Sequence, residues 1–442
     1  MSAPRVCVIG AGPSGITAAK NLLQVGLRDV VVYDKNDQVG GNWLFSREPS
    51  HSSVFETTHI ISSRTLSQYS DYPWPPGAPD YPGHAELRAY FQGYARRFGV
   101  DRHVRFRTEV KKAEREAGGG WRVTLATGES ERFDHLLVAN GHHWDPRMPS
   151  YPGTFAGPLL HSHDFKSSAP FRDRRVLVVG GGNSACDIAV ETGRVSSFTG
   201  ISMRRGYHFV PKFMFGVASD VLYDKLRLIP RGLRVRLVEL LMWLSTGSPE
   251  RYGLMKPDHP FMSTHPVVNS ELLYFIRHGR VHPRPDIARL DGNAVHFADG
   301  RIESYDVVIA ATGFRISFPF FDPSLVDFSS GDVPLYLRAF HRHLRDVYFI
   351  GLFQPIGCIW PLAELQARLV ANYIVGNYRL PADLERRITR EVDTIRDTFM
   401  QTPRHSIEVD YDPFRKRLLR EMPPLAPAWP RDTIPGPRAA SA

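Results

Sequence analysis

The sequence predicts an α/β protein with two parallel-sheet modules, one of them inserted in the other. Two glycine-rich turns lead to this prediction, because each follows a short apolar run typical of a buried strand and precedes a helical pattern. This strand–turn–helix pattern is that of a Rossmann-like dinucleotide-binding domain. The first turn follows residues 6–9 and contains Gly10, Gly12, Pro13, Ser14 and Gly15; the second follows residues 176–179 and contains Gly180, Gly182, Asn183, Ser184 and Ala185.

The next strand of each unit ends in a charged residue at the same distance from the first glycine. In the first unit this residue is Asp34, whose carboxylate accepts hydrogen bonds from ribose hydroxyls and repels a 2′-phosphate. In the second unit it is Arg204, followed by Arg205, and a guanidinium attracts a 2′-phosphate. The sequence therefore predicts FAD in the first module and NADPH in the second, with hydride transfer between them.

Two similar strand ends, at residues 136–141 and 305–313, bracket the second glycine turn. They indicate that the chain leaves the first module and later returns to it. We therefore expect an FAD-binding domain over residues 1–150 and 315–412, interrupted by an NADP-binding domain over residues 151–314.

Residues 207–265 exceed what a minimal nucleotide-binding fold needs. Five leucines there recur at helical spacing, with arginines nearby. This pattern indicates a helix that packs on the NADP domain or forms a dimer contact, a lid over the substrate channel, or a patch that touches membrane surfaces. We expect packing or a lid. The leucines are Leu233, Leu237, Leu240, Leu241 and Leu244.

Composition excludes several other classes of protein. The 442 residues are 42% hydrophobic and 11% aromatic, as in a globular protein, and the net charge of +9 is spread along the chain, which favours binding of anionic cofactors over nucleic acid. The three cysteines contain no Cys-x-x-Cys pair, and the histidines show no metal-binding spacing. We expect a cytoplasmic protein without a transmembrane segment or a metal, with a proline-rich tail over residues 413–442.

Several further motifs resemble those of the flavin-containing monooxygenases. Residues 155–165 resemble the FxGxxxHxxx(F/Y) signature of that family and stand just before the second glycine turn, as they do there. The similarity covers nearly the whole chain and extends to residues 39–43, 69–73, 140–143, 311–314 and 349–355.

The resemblance implies which residues hold the cofactors. FAD is expected on the first glycine turn and Asp34, and NADPH on the second glycine turn and Arg204, with Arg205 beside it. Trp43 either covers an apolar ring or belongs to the core. The further residues expected along FAD are Lys35, Gly41, Asn42, Trp43, Val110 and Gln354.

The signature itself is expected to act as a hinge for the NADP domain, through Phe155, Gly157, His161 and Phe165. His161 is expected to hydrogen-bond a backbone group and not to act as an acid–base catalyst. Relatives with Baeyer–Villiger activity carry Trp followed by Pro or Asp at the end of the signature, so Phe165 indicates the N- and S-oxygenating branch.

One position departs from the family pattern. The family often places an Asn before the Tyr-Ser-Asp motif, and Ile61 occupies that position here. An isoleucine cannot donate the hydrogen bond that the amide supplies. His59, Ser62 or Ser63 are candidate substitutes, and a less tightly coupled reaction is the alternative.

The resemblance implies an NADPH-dependent monooxygenase. In that reaction NADPH reduces FAD, O2 adds at flavin C4a to give a hydroperoxide, and one oxygen atom passes to an amine or sulfide of a small molecule. No catalytic side chain is assigned, because the flavin carries the difficult chemistry. The alternatives are a Baeyer–Villiger or keto-acid-decarboxylating enzyme, an NADPH oxidase that releases H2O2, and a non-enzymatic nucleotide-sensing protein; a homodimer is also considered.

Overall fold

The computed structural model describes residues 3–400 and 402–424. Short 3-10 turns lie in the connections between its α-helices. The helices are α1 (Pro13–Gln24), α2 (His84–Arg97), α3 (Asn183–Gly193), α4 (Ser219–Lys225), α5 (Arg231–Thr246), α6 (Glu271–Arg277), α7 (Trp360–Ile374), α8 (Leu384–Thr398) and α9 (Tyr411–Glu421).

The strands in the same ranges are β1 (Val6–Ile9), β2 (Val30–Tyr33), β3 (Val104–Arg105), β4 (Val110–Arg115), β5 (Trp121–Leu125), β6 (Ser130–Phe133), β7 (His135–Val138), β8 (Asp145–Pro146), β9 (Gly153–Phe155), β10 (Leu159–His161), β11 (Arg175–Val179), β12 (Phe198–Ser202), β13 (Phe209–Val210), β14 (Phe213–Met214), β15 (Val217–Ala218), β16 (Val267–Val268), β17 (Val281–Arg284), β18 (Ile287–Gly292), β19 (Ala294–Phe297), β20 (Ile302–Ser304), β21 (Val307–Ala310), β22 (Phe314–Arg315), β23 (Leu335–Tyr336), β24 (Phe340–His341), β25 (Val347–Phe349), β26 (Gln354–Pro355) and β27 (Glu408–Val409).

The first module is built on a seven-stranded sheet with the order β23-β24-β25-β7-β1-β2-β3. Within it, β1 pairs in parallel with β2 and β7, and β25 pairs in parallel with β7. All residues of β1 and β2 are buried, as expected for strands that are covered by helices or further sheet on both faces. Helices α1 and α7 pack together on this module.

The second module is built on a five-stranded parallel sheet with the order β10-β21-β11-β12-β17. All five strands lie between strands β7 and β25 in the sequence, so the chain leaves the first sheet, completes the second and then returns. The predicted fold, two Rossmann-like modules with one inserted in the other, is confirmed. The exact domain boundaries stay a prediction.

Residues 207–265 form two helices, α4 and α5, beside short strands, but the leucine stripe is not the packing face. Leu233, Leu240 and Leu244 are 61%, 51% and 65% exposed. The buried side chains of α5 are Arg234, Val238 and Met242, and the last two pack against apolar residues of the same insertion. The expectation that these three leucines pack on the NADP domain is therefore wrong, because a different face of the helix has a partner.

The start of the predicted tail is also wrong. Residues 411–421 form helix α9, whose Phe414 and Leu418 lie one helical turn apart and are buried in the core of the first module. Phe414 contacts Phe353 with ring centroids 5.2 Å apart. Proline enrichment begins only after this amphipathic helix, and residues 425–442 lie outside the described residues.

The described ranges contain neither a membrane-spanning helix nor a metal-binding group. Each helix there falls short of the length or the apolar character needed to cross a bilayer. Among the same residues, no three His, Cys, Asp or Glu side chains come together as a metal-binding group.

Replacement of Leu418 tests whether α9 belongs to the core. We expect Leu418→Ala to lower the free energy of unfolding by about 2–4 kcal/mol, since it removes a fully buried side chain. The matched control is Leu419→Ala, because Leu419 is 42% exposed on the same helix. Urea unfolding measures both; equal losses for the two variants would contradict the placement of α9.

Candidate functional site

The first glycine turn allows β1, α1 and the chain after β7 to approach one another closely. Gly10 has φ +106°, and a Cβ there would lie 2.5 Å from the carbonyl oxygen of Ala139. Gly180 repeats this geometry in the second module, with φ +134° and a Cβ position 2.4 Å from the carbonyl oxygen of Ala311. Both turns therefore require glycine for the same steric reason.

The helices that follow these turns begin without a side-chain cap. Gly12 precedes α1 and Gly182 precedes α3, and neither helix has an acidic residue in its first turn. The N–H groups at such a helix start carry partial positive charge and favour an anion. Pro13 is the first residue of α1 and has no N–H. An N–H at this position would have no partner within the helix, so proline costs nothing there. Both helix starts thus fit a dinucleotide pyrophosphate.

The other residues of the two turns lie beside these helix starts. The hydroxyl of Ser14 packs where a Cβ on Gly351 would lie, and Ala185 is fully buried. The amide of Asn183 accepts a hydrogen bond from the N–H of Val268 (2.7 Å) and lies 3.4 Å from the Pro266 carbonyl oxygen. Because this side chain is engaged within the protein, Asn183 would contact an anion through its backbone N–H.

Asp34 is buried at the end of β2, directly beside the first glycine turn. Its Oδ2 accepts the N–H of Ala11 at 2.6 Å and its Oδ1 accepts the N–H of Asn36 at 2.7 Å. Burial raises the pKa of Asp34, and the two N–H donors oppose that rise. Each carboxylate oxygen keeps a lone pair for a ribose hydroxyl. Its neighbour Lys35 is exposed, with its ammonium 5.5 Å from the centre of the Trp144 ring.

The two arginines after β12 differ in their surroundings. Arg204 is exposed and has no acidic partner within the described part of the chain. The Nη1 of Arg205 lies 2.7 Å from Met400 Sδ, and its guanidinium lies 5.2 Å from the Tyr207 ring centre. Arg204 is therefore the one available to a 2′-phosphate, whereas Arg205 packs within the protein.

Residues 41–43 form a 3-10 turn pressed against the first glycine turn. A Cβ on Gly41, which has φ +56°, would lie 2.7 Å from Gly12 Cα. Asn42 Oδ1 accepts the N–H of Ser53 at 2.8 Å. Trp43 is half-buried and meets Trp360 edge-on at 6.3 Å. It packs against the core while keeping an exposed part, so both predicted roles stay open.

A buried indole N–H lies next to Trp43. The Nε1 of Trp360 has no hydrogen-bond partner among the described residues, although the side chain is buried. A buried donor of this kind fits a site completed by a bound group.

Val110 and Gln354, the two remaining residues expected near FAD, lie in the first module. Val110 is buried at the start of β4 and pairs with Leu125. Gln354 lies in β26, with Oε1 3.4 Å from His142 Nε2.

The signature residues 155–165 are packed and hydrogen-bonded. Phe155 is buried, and a Cβ on Gly157 would lie 2.5 Å from the Asp306 carbonyl oxygen. Phe165 contacts Phe55 edge-on at 5.2 Å. The hinge motion itself stays a prediction.

His161 has a backbone partner on each ring nitrogen. Nδ1 accepts the N–H of His163 at 3.1 Å, so Nε2 carries the proton and donates to the Gly313 carbonyl at 3.0 Å. Burial lowers the pKa of His161, which keeps the ring neutral. This arrangement agrees with the expected backbone contact.

A bridging segment, residues 51–63, belongs to the first module by sequence but is held by the second. Lys166 Nζ donates to the Ser52 carbonyl at 2.6 Å, and the Glu56 N–H donates to the Lys166 carbonyl at 2.9 Å. At its other end, the Ser63 N–H donates to Asp220 at 2.6 Å. The bridging segment therefore links the two modules at both of its ends.

The bridging segment carries Ile61 and its candidate substitutes. Ile61 is half-buried. The Ser62 hydroxyl lies 2.7 Å from the Ser67 hydroxyl, and His59 Nδ1 lies 3.1 Å from the Thr57 carbonyl. The other ring nitrogen of His59 contacts Lys212 Nζ. Ser62 is thus engaged with Ser67 and His59 with a lysine, whereas the buried Ser63 hydroxyl has no hydrogen-bond partner among the described residues and stays a candidate substitute.

Sequence reasoning missed Lys212 and Asp220, the two residues of the insertion that contact the bridging segment. They lie more than 150 positions from it, and the helical periodicity of residues 207–265 gave no sign of this contact. The only available signal was the presence of two charged residues within an otherwise aromatic and apolar stretch.

The Tyr-Ser-Asp motif ties the bridging segment's neighbour, residues 69–71, to α1 and α7. The Tyr69 hydroxyl donates to the Pro13 carbonyl at 2.7 Å. Glu364 accepts the N–H of Ser70 at 2.8 Å and its hydroxyl at 2.7 Å, and Lys20 forms a buried ion pair with Asp71. This network fixes the loop against the first glycine turn.

Comparison with known proteins identifies similar chains over nearly the whole length. The family model described as Flavin-binding monooxygenase-like matches residues 3–422. Flavin-containing monooxygenase 5 of Mus musculus is 33% identical over 436 residues, covering 93% of this chain and 81% of the relative. The N-oxide-forming dimethylaniline monooxygenase 2 of Macaca mulatta is 31% identical over 435 residues, covering 90% and 80%.

Solved structures share the fold. The S-allyl-L-cysteine S-oxygenase from Allium sativum superposes with a TM-score of 0.72 at 22% identity, covering 95% of this chain and 89% of that one.

The neutral state of His161 predicts a pH dependence of stability. Its pKa is lowered on folding, so the unfolded chain binds more protons and stability is lost as the pH falls below about 6.5. We expect the non-titrating variant His161→Gln to lose less free energy of unfolding than the wild type between about pH 7.5 and about pH 5.5. Urea unfolding at both pH values measures this; an identical loss in both proteins contradicts the assignment.

Proposed function

The chain belongs to the flavin-binding monooxygenase-like family, and from this membership we propose that it transfers one oxygen atom of O2 to an amine nitrogen or a sulfide sulfur. It is an FAD- and NADPH-dependent monooxygenase that acts on a small molecule with O2. The substrate class is the proposed part. It is supported by Phe165 at the end of the signature and by the N-oxide-forming activity in the name of one relative.

One observation carries the proposal: the same glycine-turn geometry occurs twice, with opposite charges at the equivalent position. Asp34 lies beside the first turn and accepts hydrogen bonds from it, whereas Arg204 follows the second module's equivalent strand and is exposed. The first site suits a dinucleotide with free ribose hydroxyls and the second a 2′-phosphorylated one. Two such sites in one chain suit the transfer of a hydride from one dinucleotide to the other.

The residues that would hold FAD are those of the first glycine turn with Asp34, and those that would hold NADPH are those of the second with Arg204. The starts of α1 and α3, which lack a side-chain cap, and the buried N–H of Trp360 fit the two bound cofactors. When bound, FAD supplies the chemistry by accepting a hydride from NADPH and activating O2.

The protein's own contribution is to align the modules and exclude water. Ile61 is half-buried, so its exposed part gives the bridging segment an apolar surface. Apolar walls keep water away from a reactive oxygen species. An amine or sulfide attacks with its own lone pair, so the transfer needs no general base on the substrate.

Ile61 favours a second candidate, an NADPH oxidase. Its side chain cannot donate a hydrogen bond, and the hydroxyls of Ser62 and Ser67 are engaged with each other. Without the hydrogen bond that an Asn often supplies in the family, the enzyme would release H2O2 without oxygenating a substrate. Baeyer–Villiger and keto-acid-decarboxylating activity stay alternatives, and the cytoplasmic location and the homodimer stay predictions.

Turnover with isotopically labelled O2 tests the proposed function. We expect amine and sulfide probes to gain one labelled oxygen atom each, with NADPH consumed in step with product. Lactones from a ketone panel would favour the Baeyer–Villiger alternative. NADPH consumption that yields H2O2 and is independent of every probe would favour the oxidase.

Arg204 is predicted to select NADPH over NADH. Loss of one charge-assisted contact costs ~2 kcal/mol, so Arg204→Ala should raise the KM for NADPH by roughly 30-fold and leave the KM for NADH nearly unchanged. Arg227→Ala is the control, because Arg227 is also exposed but lies in the insertion. Steady-state kinetics with both coenzymes measures the effect, and equal losses for the two coenzymes would remove Arg204 from this role.

A further inference from the structure

Three distant parts of the chain meet around the ammonium group of Lys212. Asp187 lies in α3, just after the second glycine turn; Lys212 belongs to the insertion; and His59 belongs to the bridging segment. Asn269, at the start of α6, is buried and donates to Asp187 Oδ1 at 2.6 Å. The Lys212 ammonium contacts the His59 ring where the two modules meet, and the Asp187 carboxylate lies within electrostatic range of Lys212.

The hydrogen bonds define the role of His59 in this cluster. Its Nδ1 faces the carbonyl of Thr57, which can only accept, so Nδ1 carries the proton. Nε2 then presents a lone pair to Lys212 Nζ. Burial raises the pKa of Asp187, and the positive charge of Lys212 opposes that rise.

The same stretch of the insertion is fastened to the first module at two further points. The Tyr81 hydroxyl donates to the Lys212 carbonyl at 2.5 Å, and the Tyr81 ring meets Phe213 edge-on at 5.3 Å. Asp220 accepts the Ser63 N–H. Residues 212–220 thus lie across both ends of the short stretch that carries Ile61.

We propose that Lys212 is a positioning residue that, through its contact with His59, fixes the bridging segment against the NADP-binding module and keeps NADPH oxidation coupled to oxygen transfer. The inference rests on the proposed function. At a position where the family often has an amide, Ile61 contributes no hydrogen bond of its own, so the order of this segment depends on contacts such as that of Lys212. Removal of the cation leaves the His59 ring without its donor.

The charge of Lys212 makes its contact with His59 depend on pH. At high pH, Lys212 loses its proton early, because burial lowers its pKa. The other titratable groups facing the cluster are Glu271, Tyr81 and Asp220.

The test compares Lys212→Met with the wild-type holoenzyme, using methyl phenyl sulfide as the probe. We expect the share of NADPH that ends as H2O2 to rise roughly fivefold or more, the range of a coupling between two sites, with little change in the KM for NADPH. Lys212→Arg should restore part of the coupling. Lys225→Met is the matched control, because Lys225 is an exposed lysine of the same insertion.

A second readout does not depend on activity. Hydrogen exchange of the backbone amides of residues 56–63, measured on the FAD-bound protein without turnover, should be faster in Lys212→Met than in the wild type. His59→Phe removes the acceptor of the same contact and should also raise H2O2 release and speed amide exchange. It replaces Lys212→Met as the test variant if that variant does not fold.

The outcomes separate the two proposals. A wild type that oxygenates the probe and a Lys212→Met variant with unchanged coupling and exchange would overturn the role of Lys212 alone. A wild type that makes no oxygenated product would contradict the proposed function, while faster exchange in the variant would still support the positioning role. Coupling in the wild type that does not fall at high pH would count against the role of the Lys212 charge.

Discussion

Two dinucleotides can exchange a hydride only if the modules that hold them keep a fixed relative position. The bridging segment, residues 51–63, meets this constraint physically. It leaves the first module and is fastened to the second by Lys166 near one end and by Asp220 at the other. Both contacts use backbone groups of the segment, so they hold the position of the main chain and not only of single side chains.

The parts that would contact FAD are tied to the same framework. Gly41 presses against Gly12, and Tyr69 donates to the carbonyl of Pro13, so residues 41–43 and 69–71 are both fixed to the start of α1. Glu364 of α7 then holds Ser70 from the opposite side. Lys20 also forms an ion pair with Asp71 in the same loop. Because a buried charge without a partner is costly, this ion pair and the hydrogen bonds favour a single arrangement of the loops. The first glycine turn therefore organises the surrounding loops as well as offering its own N–H groups.

The sequence predicted what is encoded within one strand–turn–helix unit and missed what depends on distant contacts. The two glycine turns, Asp34 and Arg204 follow from short spacings, and the inserted order of the sheets follows from two similar strand ends. Lys212, Asp220 and Glu364 could not be predicted, because their partners are far away in the sequence. Helical periodicity predicts α5 but not which of its faces packs against the protein. The leucine stripe therefore predicts that Leu233 is packed, whereas it is exposed in the structure. The prolines beyond α9 concealed a short amphipathic helix whose Phe414 and Leu418 are buried.

Electron transfer between the modules is the central claim, and reduction without oxygen tests it most directly. Purified FAD-bound protein is mixed with NADPH under argon while the visible absorbance of the oxidised flavin is followed. The account predicts that the yellow colour is lost in proportion to the NADPH added. Protein that carries flavin and stays yellow in the presence of NADPH, or that cannot bind flavin at all, would contradict it.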